Sequence, residues 1–286
     1  MTEEAVSPTW ADLLARARAR LSGPDHAPYE ADELLARAAG RPRSWFHARR
    51  RERADEAVGE KLEELVVRRE NGEPLQYLLG EWEFLGRTFF VDPRALIPRG
   101  ETEGIVEEAR RVAPSASRLL DLGTGSGILA VSLALERPSA HVVALDRSAG
   151  ALALAAANAR RHGVAARVLL LASDWLSALE PGASFDLAVA NPPYVPLADE
   201  PHLAKTVSDH EPGLALWGGA DGLAPLRILL ATLPAFLGPG APFVFEFGYS
   251  QAREVSALVE TSRDFRLEHV RLDAAGIPRT ATAVRT

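Results

Sequence analysis

A glycine-rich segment lies between an apolar run and a helical pattern near the middle of the chain. Its residues are Asp121, Leu122, Gly123, Thr124, Gly125, Ser126 and Gly127. Glycine permits positive φ angles and lets a ligand approach the backbone closely, and the start of the following helix offers unpaired amide donors. The segment therefore predicts a loop that binds a polar ligand, although a plain turn from strand to helix has a similar composition.

Strand and helix patterns alternate from this region onward. Apolar runs predict strands at Arg118–Leu122, His141–Asp146, Arg167–Ala172, Phe185–Ala190 and Pro242–Phe247. Helical patterns follow from about Ile128, over residues 148–162, near residues 222–237 and after Ser250. This alternation predicts a mostly parallel sheet with helices on both faces. Two late β-like runs, Phe265–Leu272 and Thr280–Arg285, predict an antiparallel edge.

The first 73 residues have a helical period instead. We expect one helix between Trp10 and Leu21, a second that begins at Pro28 and ends at Gly40, and a third over residues 54–70. From Pro74 to Pro98 the helical period stops, and residues 83–91 predict a hairpin that turns at Gly86. We therefore divide the chain into a helical domain (1–73), a β-hairpin connector (74–97) and a catalytic domain (98–286).

Composition narrows the classes of function. The 286 residues are 47% hydrophobic and 25% charged, as in packed globular enzymes. A net charge of −7 argues against nucleic acid as a partner, and the lack of cysteine excludes thiol catalysis and zinc–thiolate sites. We expect a cytoplasmic monomer with no metal and no membrane span. An arginine-rich run predicts either a partner-binding patch or a solvated helix end; it contains Arg49, Arg50, Arg51 and Arg53.

Spacing around the glycine-rich segment indicates which ligand it binds. A dinucleotide fingerprint needs a small residue where Ile128 stands, and a P-loop needs a lysine after Gly127, which is absent. Asp146 ends the second strand twenty-three residues after Gly123, where a carboxylate can accept hydrogen bonds from both ribose hydroxyls of an adenosine. After the third strand, Asp174 offers an acceptor to the adenine amine, and Trp175 offers a stacking surface unless it is ordinary core.

The fourth strand leads into Asn191-Pro192-Pro193-Tyr194 at the carboxyl edge of the sheet. The two prolines fix φ and remove amide donors, so the loop is rigid and rich in acceptors. The Asn191 side-chain carbonyl and the Pro192 backbone carbonyl can accept both N–H bonds of a planar NH₂ group and hold its nitrogen against a methyl donor. Tyr194 can pack against that planar group. A simple proline turn after a strand is the alternative.

With these motifs the chain closely resembles the peptide chain release factor glutamine N5-methyltransferases, the PrmC/HemK family. The resemblance covers about residues 74–286. It is carried by residues 74–77 (Pro-Leu-Gln-Tyr), residues 96–103, the glycine-rich segment, residues 191–194, Glu211-Pro212 and residues 219–222 (Gly-Ala-Asp-Gly).

The resemblance implies a class I S-adenosylmethionine-dependent methyltransferase fold, which is Rossmann-like with a seven-stranded sheet, preceded by a small helical domain that docks the substrate. It implies methylation of the glutamine side-chain amide in a Gly-Gly-Gln motif of class-1 release factors, with S-adenosylhomocysteine as product. The cofactor would contact Gly123, Thr124, Gly125, Ser126, Gly127, Asp146, Trp175 and Asn191. The glutamine would be held by Asn191, Pro192, Pro193 and Tyr194, of which Asn191, Pro192 and Tyr194 would be catalytic.

Four positions leave questions open. Gly100 stands where the family usually has a second proline, which predicts a looser loop near the cofactor, and residues 274 and 275 are alanine where leucine is common. Glu246 interrupts an apolar strand and is either an acid that lines the site or the capped end of that strand.

Other functions use the same catalytic loop. A glutamine methyltransferase acting on a ribosomal protein has identical chemistry, but residues 98–103 favour the release-factor branch. An adenine N6-methyltransferase must flip a base and grip phosphates, for which the chain has no basic surplus. The hypothesis of a cofactor-binding scaffold without activity would leave the predicted catalytic loop unexplained.

Overall fold

The computed structural model describes residues 7–23, 26–182 and 184–286. They form two compact units. The first contains the chain up to Gly80 together with Lys205–His210, and the second contains Glu81–Ala204 and Glu211–Thr286. The domain boundaries after residues 73 and 97 stay predictions.

Helices make up the first unit. Their bounds are α1 (Trp10–Arg20), α2 (Glu30–Ala39), α3 (Arg43–Arg49), α4 (Glu56–Glu70), α5 (Leu75–Leu79) and α9 (Lys205–Ser208). A capping box formed by Thr9 and Asp12 starts α1, and α2 ends at Gly40, whose φ of 62° suits glycine. Leu34 and Leu35 of α2 are fully buried in the core of this unit.

Helices α3, α5 and α9 differ from the sequence-based expectation, and α9, of four residues, was not predicted. The helical period was expected to stop at Pro74, which is wrong because α5 forms directly after this proline and ends at Gly80. Helix α3 was not predicted at all; its Phe46 is buried, and Trp45 packs edge-on against Trp10 with ring centroids 5.4 Å apart. These helices are short, so tertiary contacts contribute more to their formation than the sequence period does.

The arginine-rich run follows the end of α3. Arg50, Arg51 and Arg53 are exposed, and the Arg49 guanidinium lies 4.7 Å from the centroid of the Trp45 ring. This arrangement corresponds to a solvated helix end.

In the described part of the chain, the second unit contains a two-stranded hairpin and a seven-stranded sheet. The hairpin strands are β1 (Glu81–Phe84) and β2 (Arg87–Phe90). The sheet strands are β3 (Arg118–Leu122), β4 (His141–Asp146), β5 (Val168–Ala172), β6 (Leu187–Ala190), β7 (Pro242–Glu246), β8 (Phe265–Leu272) and β9 (Pro278–Arg285). The helices of this unit are α6 (Glu103–Val112), α7 (Ile128–Glu136), α8 (Ala149–Arg161), α10 (Gly213–Leu216), α11 (Ala224–Thr232) and α12 (Ala252–Thr261).

The sheet has the strand order β5-β4-β3-β6-β7-β9-β8. The first five strands in this order are parallel, whereas β9 pairs antiparallel with both β7 and β8. All four residues of β6 are completely buried, because separate apolar clusters cover the two faces of the sheet. The predicted α/β fold with an antiparallel edge is confirmed.

Smaller differences concern the ends of elements. The strand predicted from Phe185 begins at Leu187, because the Phe185 amide donates to the Phe236 carbonyl and Phe185 forms only an isolated bridge with Leu237. The helix predicted near residues 222–237 ends at Thr232, and a 3₁₀ turn that contains Pro234 follows. Within the described ranges, no helix is long and apolar enough to cross a membrane.

Candidate active site

A cavity of about 510 Å³ opens at the carboxyl ends of the parallel strands. This volume falls within the range of small-molecule sites, about 300–1,000 Å³. Among the predicted site residues, Gly123, Thr124, Gly125, Ser126, Asp146, Trp175, Asn191 and Pro193 line it. The fold therefore brings all of the predicted cofactor residues except Gly127, and Asn191 and Pro193 of the predicted catalytic loop, to one cavity.

The strand order explains this convergence. Strand β3 lies between β4 and β6, and Leu122 at its end is level with Leu145 on one side and Ala190 on the other. The chain leaves β3 into the glycine-rich segment and leaves β6 into Asn191. The two loops consequently start side by side, at the point of an open α/β sheet where ligands bind.

The three glycines of the segment have different surroundings. Gly123, Gly125 and Gly127 have φ angles of 74°, 54° and 81°, which glycine adopts without strain. Gly127 does not line the cavity; a Cβ there would lie 2.9 Å from the Cβ of Ala155 in α8. Its role in the described structure is therefore to let α8 pack closely against the start of α7.

Asp146 stabilises the glycine-rich segment directly. Its Oδ2 accepts a hydrogen bond from the Gly125 amide at 2.8 Å, and its Oδ1 accepts one from the Ser148 amide at 2.8 Å. A carboxylate oxygen has two lone pairs, so each oxygen keeps the capacity to accept another hydrogen bond from the cavity.

Trp175 has an unusual backbone conformation, with a φ of 50°. The Ser173 hydroxyl donates to the Trp175 carbonyl at 2.6 Å and supports this conformation. The indole lines the cavity and also packs against the core, so both roles considered for it have a structural basis. Asp174, beside it, is exposed at the cavity wall.

A buried acid that the sequence did not single out lies beneath the glycine-rich segment. Asp121 is completely buried, and its Oδ2 accepts from the Thr124 hydroxyl at 2.6 Å and from the Ala130 amide at 3.1 Å. Its Oδ1 has no hydrogen-bond partner among the described residues. Burial raises the pKa of this carboxyl to about 7. Its position at the end of a buried strand was the available signal.

The catalytic loop presents only part of itself to the cavity. Asn191 and Pro193 line it, whereas Pro192 is buried and Tyr194, only partly exposed, is not part of its wall. The Asn191 Nδ2 donates to the Thr102 hydroxyl at 3.1 Å. None of the described residues donates a hydrogen bond to the Asn191 Oδ1 or to the Pro192 carbonyl. Both acceptors predicted for a substrate amide thus lack a partner in the described structure.

Glu246 is the last residue of β7 and is 2% exposed. It accepts hydrogen bonds from the Thr102 hydroxyl at 2.7 Å and from the Tyr194 hydroxyl at 3.1 Å. Burial raises the pKa of Glu246 although these two bonds act in the opposite direction. Burial, and then the charge of Glu246, raise the pKa of Tyr194. Glu246 therefore ends a strand and also lies behind the active site.

The segment before α6 is fixed by a third buried acid, Glu211. Glu211 accepts hydrogen bonds from the Ile97 amide at 3.1 Å and from the Arg99 guanidinium. Gly100, which follows, is exposed, and a Cβ there would have no neighbouring atom within 4 Å. The glycine at this position is therefore not required by packing.

Comparisons with known proteins agree with this geometry. Residues 12–80 match the family model of the PrmC N-terminal domain, and residues 106–207 match that of the methyltransferase small domain. A release factor glutamine methyltransferase of Geobacter sulfurreducens is 49% identical over 67% of this chain and 66% of that protein. One from Bordetella pertussis is 42% identical over 91% of this chain and 95% of its own length.

The chain belongs to the release factor glutamine methyltransferase family. This confirms the resemblance inferred from the motifs. A methyltransferase of Pyrococcus furiosus has the same fold, with a TM-score of 0.53 and 14% identity over 70% of this chain and 90% of that one. Thr102, which the sequence analysis missed, lines the cavity, and Glu246, whose role the sequence analysis left undecided, lies behind it in contact with Thr102.

Proposed function

We propose that this chain transfers the methyl group of S-adenosylmethionine to the side-chain amide nitrogen of the glutamine in the Gly-Gly-Gln motif of class-1 release factors. The observation that carries the proposal is the Asn191 side chain, whose Oδ1 has no partner among the described residues while the residue lines the same cavity as the glycine-rich segment. Family membership supports the choice of substrate.

The residues of the cavity suit S-adenosylmethionine. The glycine-rich segment leaves backbone space for the methionine part, Asp146 has free lone pairs for two ribose hydroxyls, and Trp175 offers an aromatic surface for adenine. When bound, this molecule supplies an activated methyl group on a sulfonium. The carboxylates of Asp146 and Asp174 at the wall favour a ligand that carries positive charge.

The substrate nitrogen needs help because its lone pair is delocalised into the amide carbonyl. Asn191 Oδ1 and the Pro192 carbonyl accept the two N–H bonds, orient the nitrogen and stabilise the positive charge that develops on it. The nitrogen forms its bond to the methyl carbon as the carbon–sulfur bond breaks. The methylated nitrogen then loses a proton, so the chain needs no general base before transfer.

The helical first unit suits a docking role. We assign recognition of the intact release factor to this part of the chain, the predicted domain of residues 1–73, and we place the reaction in the cytoplasm. The match of residues 12–80 to the PrmC N-terminal domain supports the assignment.

Three variants separate cofactor binding from the methyl-transfer chemistry. Asn191→Ala lowers turnover by roughly 10²–10³, because it deletes a preorganised acceptor, and leaves the affinity for S-adenosylmethionine nearly unchanged. Asn191→Asp retains an acceptor and falls between alanine and the native residue. Asp146→Ala instead weakens cofactor binding by about 1–3 kcal/mol, the scale of a lost charge-assisted hydrogen-bond pair.

The assay supplies labelled S-adenosylmethionine together with a release factor, a ribosomal protein and DNA, and mass spectrometry locates the label. We expect it on the glutamine of the release factor. Label on the ribosomal protein or on adenine would identify a different substrate. Turnover of Asn191→Ala within about threefold of native would refute the amide-holding mechanism.

A further inference from the structure

A chain of hydrogen bonds connects Glu246 to the side chain of Asn191. The Thr102 hydroxyl donates to Glu246 Oε2 at 2.7 Å and lies 3.1 Å from Asn191 Nδ2. Thr102 is 1% exposed and Glu246 is 2% exposed, so solvent does not compete for these bonds. The three residues come from the segment before α6, the end of β7 and the loop after β6.

The chemistry of the three groups fixes the direction of each bond. In its ionised form the Glu246 carboxylate can only accept, and the single hydroxyl proton of Thr102 is then directed at Glu246. The Thr102 oxygen is then left with lone pairs and can only accept from its other neighbour. The atom of Asn191 that faces it must therefore be the NH₂ group, whichever way an amide might otherwise be oriented.

We infer that Glu246, acting through the Thr102 hydroxyl, is a positioning residue that turns the Asn191 amide so that Oδ1 faces the substrate nitrogen. The inference rests on the proposed function, because it concerns how the substrate amide is held. A reversed amide would present NH₂ to the substrate NH₂, two donors facing one another, and the nitrogen would not be aligned.

The surroundings of Glu246 support this role. Burial raises the pKa of Glu246, and the hydrogen bonds from Thr102 and Tyr194 and the charge of Arg279 act in the opposite direction. The second carboxylate oxygen accepts from the Tyr194 hydroxyl at 3.1 Å. One buried acid thus contacts, directly or through one hydroxyl, two residues of the catalytic loop.

The test uses Thr102, because its variants change one group at a time. Thr102→Val keeps the shape of the side chain and removes the hydroxyl, and Thr102→Ser keeps the hydroxyl and removes the methyl group. Losing a group that orients a binding side chain typically costs about 10–100-fold. We expect Thr102→Val to lower kcat by such a factor with little change in KM for either substrate, and Thr102→Ser to restore kcat to within about threefold of native.

A double-mutant cycle distinguishes positioning from a general structural effect. If Thr102 acts only through Asn191, then Thr102→Val has no further effect on kcat in an Asn191→Ala background. Measurements are made on the full chain, with calorimetry of S-adenosylmethionine binding to show that each variant is folded.

Three results would overturn the inference. The first is an unchanged kcat for Thr102→Val. The second is a loss of kcat for Thr102→Ser as large as that for Thr102→Val. The third is a loss of kcat from Thr102→Val that is as large in the Asn191→Ala background as in the native chain. Failure of the native enzyme to methylate release factor would instead reject the proposed function, so the two outcomes are distinguishable.

Discussion

Gly222 packs against the back of the catalytic loop, and replacing it with alanine should disturb that loop. Gly222 has a φ of 77°, which costs an L-residue roughly 1–2 kcal/mol. A Cβ at this position would also overlap the Tyr194 carbonyl oxygen and the Gln251 side-chain amide, and would lie 3.0 Å from the Tyr194 carbonyl carbon. Gln251 Nε2 donates to that same carbonyl at 3.0 Å. Overpacking of this kind typically costs about 1–3 kcal/mol. Together with the backbone strain, it should lower the free energy of unfolding by about 2–5 kcal/mol in Gly222→Ala.

Gly240→Ala is the matched control. Gly240 belongs to the same compact unit and has a φ of 76°, but a Cβ there would have no neighbour within 4 Å. Both variants share the strain of the positive φ and the smaller entropy of the unfolded alanine chain. The difference between them therefore isolates the overlap with Tyr194 and Gln251, about 1–3 kcal/mol.

Urea unfolding measures the change in the free energy of unfolding for each variant, from the shift in the urea midpoint when the dependence of that free energy on urea concentration is unchanged. The methylation assay should show lower turnover for Gly222→Ala at temperatures where it is folded, because Tyr194 is displaced, and native turnover for Gly240→Ala. Equal stability of the two variants would refute the reasoning from close packing.

Two other predictions concern the first unit and the loop before α6. Removing the residues up to Gly80 should leave the affinity for S-adenosylmethionine and the methylation of a short Gly-Gly-Gln peptide unchanged. It should sharply reduce methylation of the intact release factor. Equal activity of the truncated and full chains on the intact factor would contradict the docking role. Gly100→Pro should stabilise the protein by about 0.4–1 kcal/mol in urea unfolding. Gly100 begins a 3₁₀ turn, a position that suits proline, and the preceding Arg99 has φ −102° and ψ 147°, a conformation allowed for the residue before a proline. A lower urea midpoint for Gly100→Pro would show that the glycine is needed.

The sheet was predictable because its signals are local. Strands β3, β4 and β8 have the bounds expected from the sequence, since turn-forming residues lie close to both ends of each strand. The glycine-rich segment and Asn191 were found for the same reason, because each directly follows a buried strand. Helices α3, α5, α9 and α10 were missed because they have between four and seven residues, too few for a helical period to show. Helix α6 has ten residues and was missed although it is long enough to show one.

The hydrogen-bonded network behind the site was not predictable in the same way. Thr102 and Glu246 are 144 residues apart in the chain, and only the sheet brings them within 2.7 Å. A glutamate in an apolar strand showed that a partner had to exist, without showing which residue it was. Asp121 was overlooked because its burial and the lack of a described hydrogen-bond partner for its Oδ1 can be seen only in the folded structure.

The register that places Leu122 level with Ala190 makes the gap between the start of the glycine-rich segment and Asn191 a property of the backbone. Neighbouring strands lie about 4.8 Å apart whatever their side chains, so exchange of one small apolar residue for another within β3 or β6 leaves this gap unchanged. A deletion of one residue in either strand would move its loop by about 3.3 Å and turn its buried faces over. Across evolution, these two strands can therefore change in composition far more freely than in length.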